Sequence, residues 1–337
     1  MKLLLLLLIA GCAQVTSLNM KKHQFGLTPT KIIWFQIAGL EEEHLAMLRF
    51  QYSAEKKTVF EENVCIGKSW AYNLYELRAK AEASFLSQMT GKSNVKLSCE
   101  DANLRPIWSY LSGNGYTSGI LESGANKAQT IVSYNECGEP GLVFLSSLHL
   151  WLRQQPVKGA ETFHYSEPIA LKPNTLLYDK TCGPQSCYST ILDDFKSTYE
   201  AFRKVSQKHL MIVRDFSYLN ALDKKDLMKA RGILSDIERA VAEAVAYSKA
   251  SNDYLVLVTS GDSRFIDLPD QGKAWYEFEK TGAKATVKRT KLTNLVLAYG
   301  SRAENFCGTY EDSHVFERIL SGPKQLGLEL KFINPFK

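Results

Sequence analysis

Hydrophobic residues along the chain form two kinds of pattern, short continuous runs and longer stripes at helical spacing. Residues Lys31 to Ile37 form an apolar run rich in isoleucine and aromatic residues, which predicts a buried strand. Leu45, Met47 and Leu48 lie within Glu41 to Phe50 at spacings that favour a helix. A strand followed by a helix is typical of the start of an α/β domain.

The same patterns recur further along the chain. Pro106 is expected to start a helix that ends near Gly113, and a strand is expected from Tyr116 to Leu121. Asp223 and Asp226, three residues apart, resemble a capping arrangement before a long helix. The apolar stripe of that helix consists of Leu227, Ala230, Leu234, Ile237, Val241 and Val245.

Two later runs are apolar at successive positions, Tyr254 to Ser260 and Leu292 to Ala298, which is typical of strands buried on both faces in a parallel sheet. Val315 to Leu320 predicts a closing helix. Prolines interrupt the pattern between residues 149 and 207, so we interpret this segment as an irregular insertion or cap. We therefore expect one domain over residues 30–337, an α/β/α sandwich with a mainly parallel central sheet and a small inserted cap.

The first twelve residues have the pattern of an export signal. Met1-Lys2, six leucines and the ending Ile9-Ala10-Gly11-Cys12 give a charged start, an apolar run too short to span a membrane, and a small-residue cleavage site. This ending resembles the lipobox of bacterial lipoproteins, which are cut before the cysteine that receives lipid. We expect residues 1–11 to be a signal peptide, Cys12 to be lipidated, and residues 12–29 to include a polar tether.

Such an anchor implies a protein of the bacterial cell envelope that lies on a membrane without crossing it. Ala13 follows the cysteine, and the absence of aspartate there resembles lipoproteins that are sent to the outer membrane. The formal net charge is only +5, and the basic clusters at Lys21-Lys22 and Lys284 to Lys291 are small or interrupted. We therefore expect no nucleic-acid partner. The expected partners are the membrane and an unidentified envelope protein or small ligand.

The chain has seven cysteines, of which six remain when Cys12 is assigned to the lipid. An even number in an exported chain is typical of disulfide bonds. Cys182 and Cys187 enclose four residues that include a Gly-Pro turn, so a local bridge is expected between them.

The other four cysteines allow three pairings, of which we expect Cys65 with Cys99 and Cys137 with Cys307. A zinc site is the alternative interpretation of these residues. No histidine lies at ligand spacing from any of them in the sequence, so no metal is expected there.

Four segments, taken in chain order, together resemble the elements of a known protein family. Lys31 to Leu40 reads as a first strand with its turn, and Ala83 to Gly91 as a helix that ends in Thr-Gly. Arg105 to Leu111 is followed by a Gly-Tyr strand from Gly115 to Leu121, and Leu255 to Ser260 is a later strand ending in Thr-Ser. In this order they resemble the alkaline phosphatase superfamily, which also includes sulfatases and nucleotide pyrophosphatase/phosphodiesterases. The resemblance covers most of residues 30 to 330.

The resemblance also implies that the active positions are vacated. The place of the family's metal-binding carboxylate is Ala38, and the place of its nucleophile, about ten residues before Gly91, is Ala81. Gly261 stands where the Asp-His metal pair begins. Family catalysis needs two divalent ions, each held by several carboxylate or imidazole ligands. We therefore expect no catalytic residues, no metal and no cofactor.

Four acidic residues are the candidate residues of the vacated cleft: Asp215, Asp223, Asp262 and Glu304. They could gather a cation with oxygen ligands such as Ca²⁺, but surface carboxylates are the expected outcome. The sequence thus favours a non-catalytic binding or scaffolding protein. The alternative is a phosphoester or sulfate-ester hydrolase that uses Asp215, Asp223 and Asp262 as displaced ligands for a divalent cation such as zinc or manganese.

Overall fold

The computed structural model describes residues 28–49, 57–62, 65–169, 171, 174–184 and 186–320, with the backbone of 322–326 and 329–333. The predicted signal peptide, lipidation site and most of the tether lie outside these ranges. Within them, no helix combines the length and the apolar composition needed to cross a membrane.

Ten strands form the central sheet. In chain order they are β1 (Lys31–Ala38), β2 (Cys65–Trp70), β3 (Thr117–Ser123), β4 (Leu148–Arg153), β5 (Thr162–Phe163), β6 (Leu176–Asp179), β7 (His209–Asp215), β8 (Tyr254–Gly261), β11 (Thr293–Gly300) and β12 (Gly308–Glu311). Two antiparallel pairs lie outside it, β9 (Phe265–Asp267) with β10 (Thr286–Lys288), and β13 (Gly322–Leu326) with β14 (Glu329–Ile333).

The α-helices are, in chain order, α1 (Glu42–Arg49), α2 (Ala81–Thr90), α3 (Ile107–Ser112), α4 (Glu139–Phe144), α5 (Ile191–Val205), α6 (Ser217–Asp223), α7 (Leu227–Ala250), α8 (Gly272–Thr281) and α9 (His314–Leu320). Four 3₁₀ segments lie between them, at Val59–Glu62, Cys99–Asn103, Ile131–Cys137 and Ala303–Phe306.

The strand order in the central sheet is β12-β2-β11-β8-β1-β7-β3-β4-β6-β5. All pairings are parallel except those of β11 with β8 and β2, so the predicted mainly parallel sheet is confirmed. The run Leu292 to Ala298 does form a strand, but β11 is antiparallel. An apolar run predicts that both faces of the strand are covered by other elements. It does not predict whether the strand is parallel or antiparallel to its neighbours.

Helices cover both faces of the sheet, and each face has its own hydrophobic core. Alternate residues of β1 contribute to opposite sides, with Phe35 in one core and Trp34 in the other, both fully buried. Phe195 of α5 and Leu234 of α7 belong to the first core, and Phe85 of α2 belongs to the second. The chain therefore forms the expected three-layer α/β/α arrangement.

The segment from 149 to 207 is more regular than predicted. It includes most of β4, all of β5 and β6, and helix α5, and these strands extend the central sheet beyond β3. The irregular parts lie between β4 and β6 and between β6 and α5, and both contain prolines. The prediction failed because β5 and β6 are too short, at two and four residues, to show a period of their own.

Helix α7 begins where its apolar stripe begins, but its cap is a single residue. The Asp226 carboxylate accepts a hydrogen bond from the backbone N–H of Lys229 at 3.0 Å, which is the usual geometry for the residue preceding a helix. Asp223 instead ends α6 and pairs with Arg264. The predicted pairing of the two aspartates in one cap is therefore wrong.

The six cysteines form three disulfide bonds, and two of the predicted pairings are wrong. The pairs are Cys65–Cys307, Cys99–Cys137 and Cys182–Cys187. Cys65 starts β2 and Cys307 directly precedes β12, and these two strands are neighbours at one edge of the sheet. Spacing along the chain could not show this, because the contact depends on the strand order. The predicted Cys182–Cys187 bridge is present.

Peptide mapping under non-reducing conditions is expected to recover these three linked pairs and no free thiol among the six cysteines, because a disulfide that closes a loop stabilises the folded chain by a few kcal/mol. Protein taken from its native compartment should be digested and analysed by mass spectrometry. A Cys65–Cys99 peptide, or free thiols at Cys182 and Cys187, would contradict the arrangement.

A buried carboxyl group, Asp312, lies just before α9 and binds three parts of the fold together. It accepts hydrogen bonds from Ser69 on β2, from Asn294 on β11 at 2.9 Å and from Gln88 on α2 at 3.2 Å. Burial raises the pKa of Asp312 to about 6, although these hydrogen bonds favour the charged form.

This raised pKa predicts a stability that falls as the pH rises. Between about pH 4 and pH 6 the folded protein keeps the proton on Asp312 while the unfolded chain has lost it, so the free energy of unfolding decreases by up to about 1.4 kcal/mol per pH unit. Urea unfolding across this range should show the decrease, and Asp312→Asn should remove that part of the slope. An unchanged slope in the variant would contradict the assignment.

Candidate functional site

The three positions that the resemblance predicts to be vacated meet at the carboxyl-terminal edge of the parallel strands, the edge where sheets of this kind bind ligands. Ala38 at the end of β1 pairs in register with Gly261 at the end of β8. The first residue of helix α2, Ala81, lies over the same edge. A Cβ atom added at Gly261 would lie 3.2 Å from the carbonyl oxygen of Ala81. The structure thus brings Ala38, Ala81 and Gly261 together.

An aromatic side chain fills the space beside Gly261. Phe85 of α2 is fully buried, and its ring lies against that of Phe216 with centroids 5.5 Å apart. A Cβ atom at Gly261 would come within 2.8 Å of the Phe85 ring. No side chain larger than glycine fits there without movement of Phe85, and a phenyl ring offers a cation no oxygen or nitrogen ligand.

Asp262, the next residue, is bound by two arginines. Its carboxylate pairs with the Arg264 guanidinium and with Nε of Arg289 at 2.7 Å. Arg264 also donates from Nε to Asp223 at 3.0 Å. The Asp262 and Arg264 side chains are nearly buried, so the pair between them lies largely out of water. The Arg289 and Asp223 side chains are 41% and 52% exposed, so the two outer contacts are partly solvated. Asp223, Arg264, Asp262 and Arg289 form a continuous chain of ion pairs, in which guanidinium groups supply the positive charge beside the carboxylates.

Asp215, at the end of β7, pairs in register with Ile37 and so reaches the same edge. Its two carboxylate oxygens accept hydrogen bonds from the Ser217 hydroxyl and from the backbone N–H of Tyr218, at the start of α6. Burial raises the pKa of Asp215, and these two donors act against that rise. Asp215 therefore orients the turn into α6.

Glu304 lies near the amino-terminal ends of the parallel strands, on the side of the sheet away from the cleft, which corrects its assignment to the cleft. It follows β11, whose last residue Gly300 pairs with Leu255 near the start of β8. The length of β8, at about 3.3 Å per residue, separates Glu304 from Asp262 by roughly 20 Å. The error has the same source as the misassigned strand direction, since a parallel β11 would have delivered Glu304 to the cleft.

The donor set does not fit the two-metal centre that the resemblance implies. Among the residues that the structure describes, one group of three possible ligands brings its ligand atoms together, Asp179 with Cys182 and Cys187. Both cysteines are joined in a disulfide bond and cannot act as thiolates. The acidic residues of the cleft are engaged by arginines or by the backbone, as described above.

A cavity of about 500 Å³ lies beside the N-terminal end of α2. Lys80, Glu82, Leu86 and Met89 line one side of it. The 3₁₀ segment Ile131–Cys137 lines another side. The volume is in the range of small-molecule sites.

Arg214, the penultimate residue of β7, forms part of the cavity wall and is only 2% exposed. Its Nη1 donates to Glu122 of β3 at 2.7 Å, while its Nε is buried without a hydrogen-bond partner. Burial lowers the pKa of Arg214, and the Glu122 carboxylate opposes that change. The wall of the cavity thus includes a buried cation.

Sequence analysis missed Arg214, Lys80 and Glu82. One signal was available, since Arg214 follows the apolar residues Leu210 to Val213 at the end of a strand. A charged residue that ends a fully buried strand commonly faces a site at the carboxyl-terminal edge. Lys80 and Glu82 gave no such signal, because ordinary surface helices begin with similar residues.

Comparison with solved structures agrees with this architecture. An alkaline phosphatase from the Antarctic bacterium TAB5 is 15% identical over 87% of this chain and 98% of its own, with a TM-score of 0.65. A cold-active alkaline phosphatase from a Shewanella species is 13% identical over 86% and 98%, with a TM-score of 0.67. The Thermus thermophilus alkaline phosphatase is 11% identical over 90% and 93%, with a TM-score of 0.63.

No protein-family model and no curated protein matches the sequence. At these identities the structural likeness establishes the fold and leaves the activity open. The chain has the alkaline phosphatase-like fold, as its sequence resemblance predicted.

Proposed function

We propose that the protein is a lipid-anchored component of the bacterial cell envelope whose alkaline phosphatase-like domain binds a ligand or partner and does not catalyse hydrolysis. The observation that carries this proposal is the packing of Phe85 against Gly261, at the edge where Ala38 and Ala81 also lie. A two-metal hydrolase needs carboxylate and imidazole ligands there, together with a nucleophile. This edge offers a phenyl ring and two alanines in their place.

Charge at the same edge supports the proposal. Arg264 and Arg289 neutralise Asp262, and Arg214 neutralises Glu122. A divalent cation would have to displace guanidinium groups from carboxylates that are nearly buried, which costs several kcal/mol for each pair broken. Fixed cations therefore make a metal ion unnecessary for the stability of this edge.

Metal analysis of the purified protein tests the proposal directly. Inductively coupled plasma measurements on protein purified without chelators are expected to give less than about 0.1 equivalent of zinc, manganese or calcium, because few free ligands converge at the edge. Stoichiometric zinc or manganese would instead favour the alternative, a phosphoester or sulfate-ester hydrolase with Asp215, Asp223 and Asp262 as atypical ligands.

The proposed anchor depends on Cys12, which lies outside the described residues. Cys12→Ser is expected to move the protein from the detergent phase to the soluble or uncleaved-precursor fraction, since several acyl chains would be lost at about 0.8 kcal/mol per buried CH₂. Phase partitioning and mass analysis of the N-terminus measure this. A wild-type protein that partitions into water with an unmodified N-terminus would contradict the anchor.

Fractionation of bacterial membranes tests the proposed location. With Ala13 after the lipidated cysteine, the protein is expected in the outer-membrane fraction. Ala13→Asp is expected to move it to the inner-membrane fraction, with Gln14→Asn as the matched control.

A further inference from the structure

We propose that the base of the domain lies on the membrane to which the chain is anchored and contacts anionic lipid headgroups there, so that the cleft at the other end of the strands faces the aqueous side. The base is the surface around Thr30, Tyr116, Lys208 and Asp253, which directly precede β1, β3, β7 and β8. These four strands begin in register with one another. This inference rests on the lipid anchor proposed above and names the surface that meets the lipid.

The chain enters the domain at the base. The described residues begin at Thr28, whose hydroxyl accepts a hydrogen bond from Nη2 of Arg302 at 2.6 Å. The Tyr116 hydroxyl donates to the carbonyl oxygen of Pro29, also at 2.6 Å. These contacts fix the point at which residues 12–27 join the domain. Those sixteen residues reach at most about 55 Å when fully extended.

The position of this attachment point orients the domain. β1 has eight residues, so its far end at Ala38 lies about 26 Å from the base. A tether attached at the base leaves the base free to rest on the bilayer, whereas contact through the cleft would require the tether to run back along the length of the strands. The anchor therefore favours the base over the cleft as the membrane-facing surface.

Unpaired positive charge lies at the base. Lys204, next to the last residue of α5, and Lys208 are both exposed. Nζ of Lys208 lies 3.4 Å from the carbonyl oxygen of Asn114 and 5.8 Å from the centroid of the Tyr116 ring. In the part of the chain that the structure describes, neither lysine pairs with an acidic side chain. Two cations can therefore contact lipid phosphates.

The acidic residues near the base do not cancel this charge. The described ones have basic neighbours, since Asp253 pairs with Lys31, Glu200 with Arg203 and Glu62 with Lys249, and Arg302 lies two residues before Glu304. The predicted tether adds Lys21 and Lys22, and residues 12–29 include no acidic residue. A lysine close to an anionic membrane contributes about 1 kcal/mol. The charge of the base thus complements an anionic lipid surface.

Exposed apolar side chains lie beside these lysines. Val205, the last residue of α5, is 61% exposed. Leu142 and Val143, in the last turn of α4, are 61% and 62% exposed, and α4 ends at Phe144 shortly before β4 begins at Leu148. Helices α5 and α4 cover opposite faces of the sheet, so apolar side chains reach the base on both. Apolar side chains next to lysines are typical of surfaces that lie on membranes.

Fluorescence quenching by doxyl-labelled lipid tests this orientation in the lipidated full-length mature protein, held in vesicles of phosphatidylethanolamine and phosphatidylglycerol. A bimane label is placed at Gln207→Cys, an exposed position of the base, or at Lys224→Cys, an exposed position after α6 at the cleft end. The six described cysteines are in disulfide bonds, so the introduced thiol takes the label. Quenching at position 207 is expected to be at least about threefold stronger than at position 224, because the cleft lies about 26 Å further from the bilayer.

Two results would overturn the proposal. One is equal quenching at the two positions, or stronger quenching at position 224. The other is a blue shift of the label at position 207 without quenching by the doxyl lipid, because it would show that a protein partner or a second copy of the chain covers the base.

Removal of charge assigns the contact to the two lysines. In the protein labelled at position 207, Lys204→Gln with Lys208→Gln should lower the quenching about twofold, and 1 M salt, where the screening length is about 3 Å, should do the same in the parent protein. Lys224→Gln with Lys225→Gln removes two cations from the cleft end and is the matched control, which should leave the quenching unchanged. Equal losses in the two double variants would refute the assignment to Lys204 and Lys208.

Failure of this inference is distinguishable from failure of the proposed anchor. Mass analysis of the same preparation shows whether Cys12 carries lipid. An unmodified Cys12 would contradict the anchor, whereas lipidated protein with an unquenched label at position 207 would overturn the orientation alone.

Discussion

Arg214→Met is expected to lower the free energy of unfolding by about 3–5 kcal/mol, among the largest effects of any single substitution in the chain. The substitution would leave the Glu122 carboxylate 3% exposed and without its cation, and an unpaired buried charge is strongly destabilising. Glu122 would keep its hydrogen bonds from Thr130 and from the backbone N–H of Ile131, which compensate only in part. Urea denaturation followed by circular dichroism measures the change.

The double variant Arg214→Met with Glu122→Gln is the matched control. It removes both charges, so it should recover most of the lost stability, because replacing a buried ion pair by groups of similar volume is often close to neutral. Arg203→Met, which breaks an exposed pair with Glu200, should cost less than about 1 kcal/mol. A double variant as unstable as Arg214→Met would show that the charge imbalance is not the cause.

Removal of the Cys65–Cys307 disulfide is expected to cost about 5 kcal/mol, the second of the two largest effects. The two residues are 242 apart in sequence, and the chain-entropy model predicts a stabilisation that grows with the length of the closed loop. The bridge also joins the start of β2 to the start of β12 at the sheet edge. Paired replacement of both cysteines by serine, measured by thermal and urea unfolding, tests this.

The Cys182–Cys187 bridge is the internal comparison. It closes a loop of sequence separation 5, for which the same model predicts about 2 kcal/mol. Serine replacement of this pair should therefore cost less than half as much as replacement of Cys65 and Cys307. Equal losses would show that the loop-length model does not describe this protein.

Sequence periodicity predicted the elements that are long and strongly patterned. β1, β8 and α7 each have an apolar pattern over seven or more residues, and they were placed within a few residues of their observed bounds. The direction of β11 and the membership of β5 and β6 in the sheet were not predictable in this way. Those features depend on which strands lie side by side, and that information is spread over the whole chain.

The residues of the candidate site also divide into those that the sequence could predict and those that depend on which strands are neighbours. Ala38, Ala81 and Gly261 were chosen from the order of the segments, and the structure places these three residues at one edge of the sheet. That they are the family's active positions stays a prediction. The partners of Asp262 and Asp223 could not be foreseen, because Arg289 lies 27 residues from Asp262 and Arg264 lies 41 residues from Asp223. Arg214 and Glu122, 92 residues apart, meet only because β3 and β7 are neighbours.

The central claim is that this edge of the sheet binds without catalysing, and a hydrolysis assay tests it most directly. The unmodified protein is expected to show no measurable turnover of aryl phosphate monoesters, aryl phosphate diesters or aryl sulfates with added Zn²⁺, Mg²⁺, Mn²⁺ or Ca²⁺. Ala38→Asp combined with Ala81→Thr should also fail, because Phe85 fills the neighbouring space and a metal site needs nearly all of its ligands and their supporting groups. Robust turnover by the unmodified protein, abolished by EDTA and by Asp262→Ala, would contradict the account.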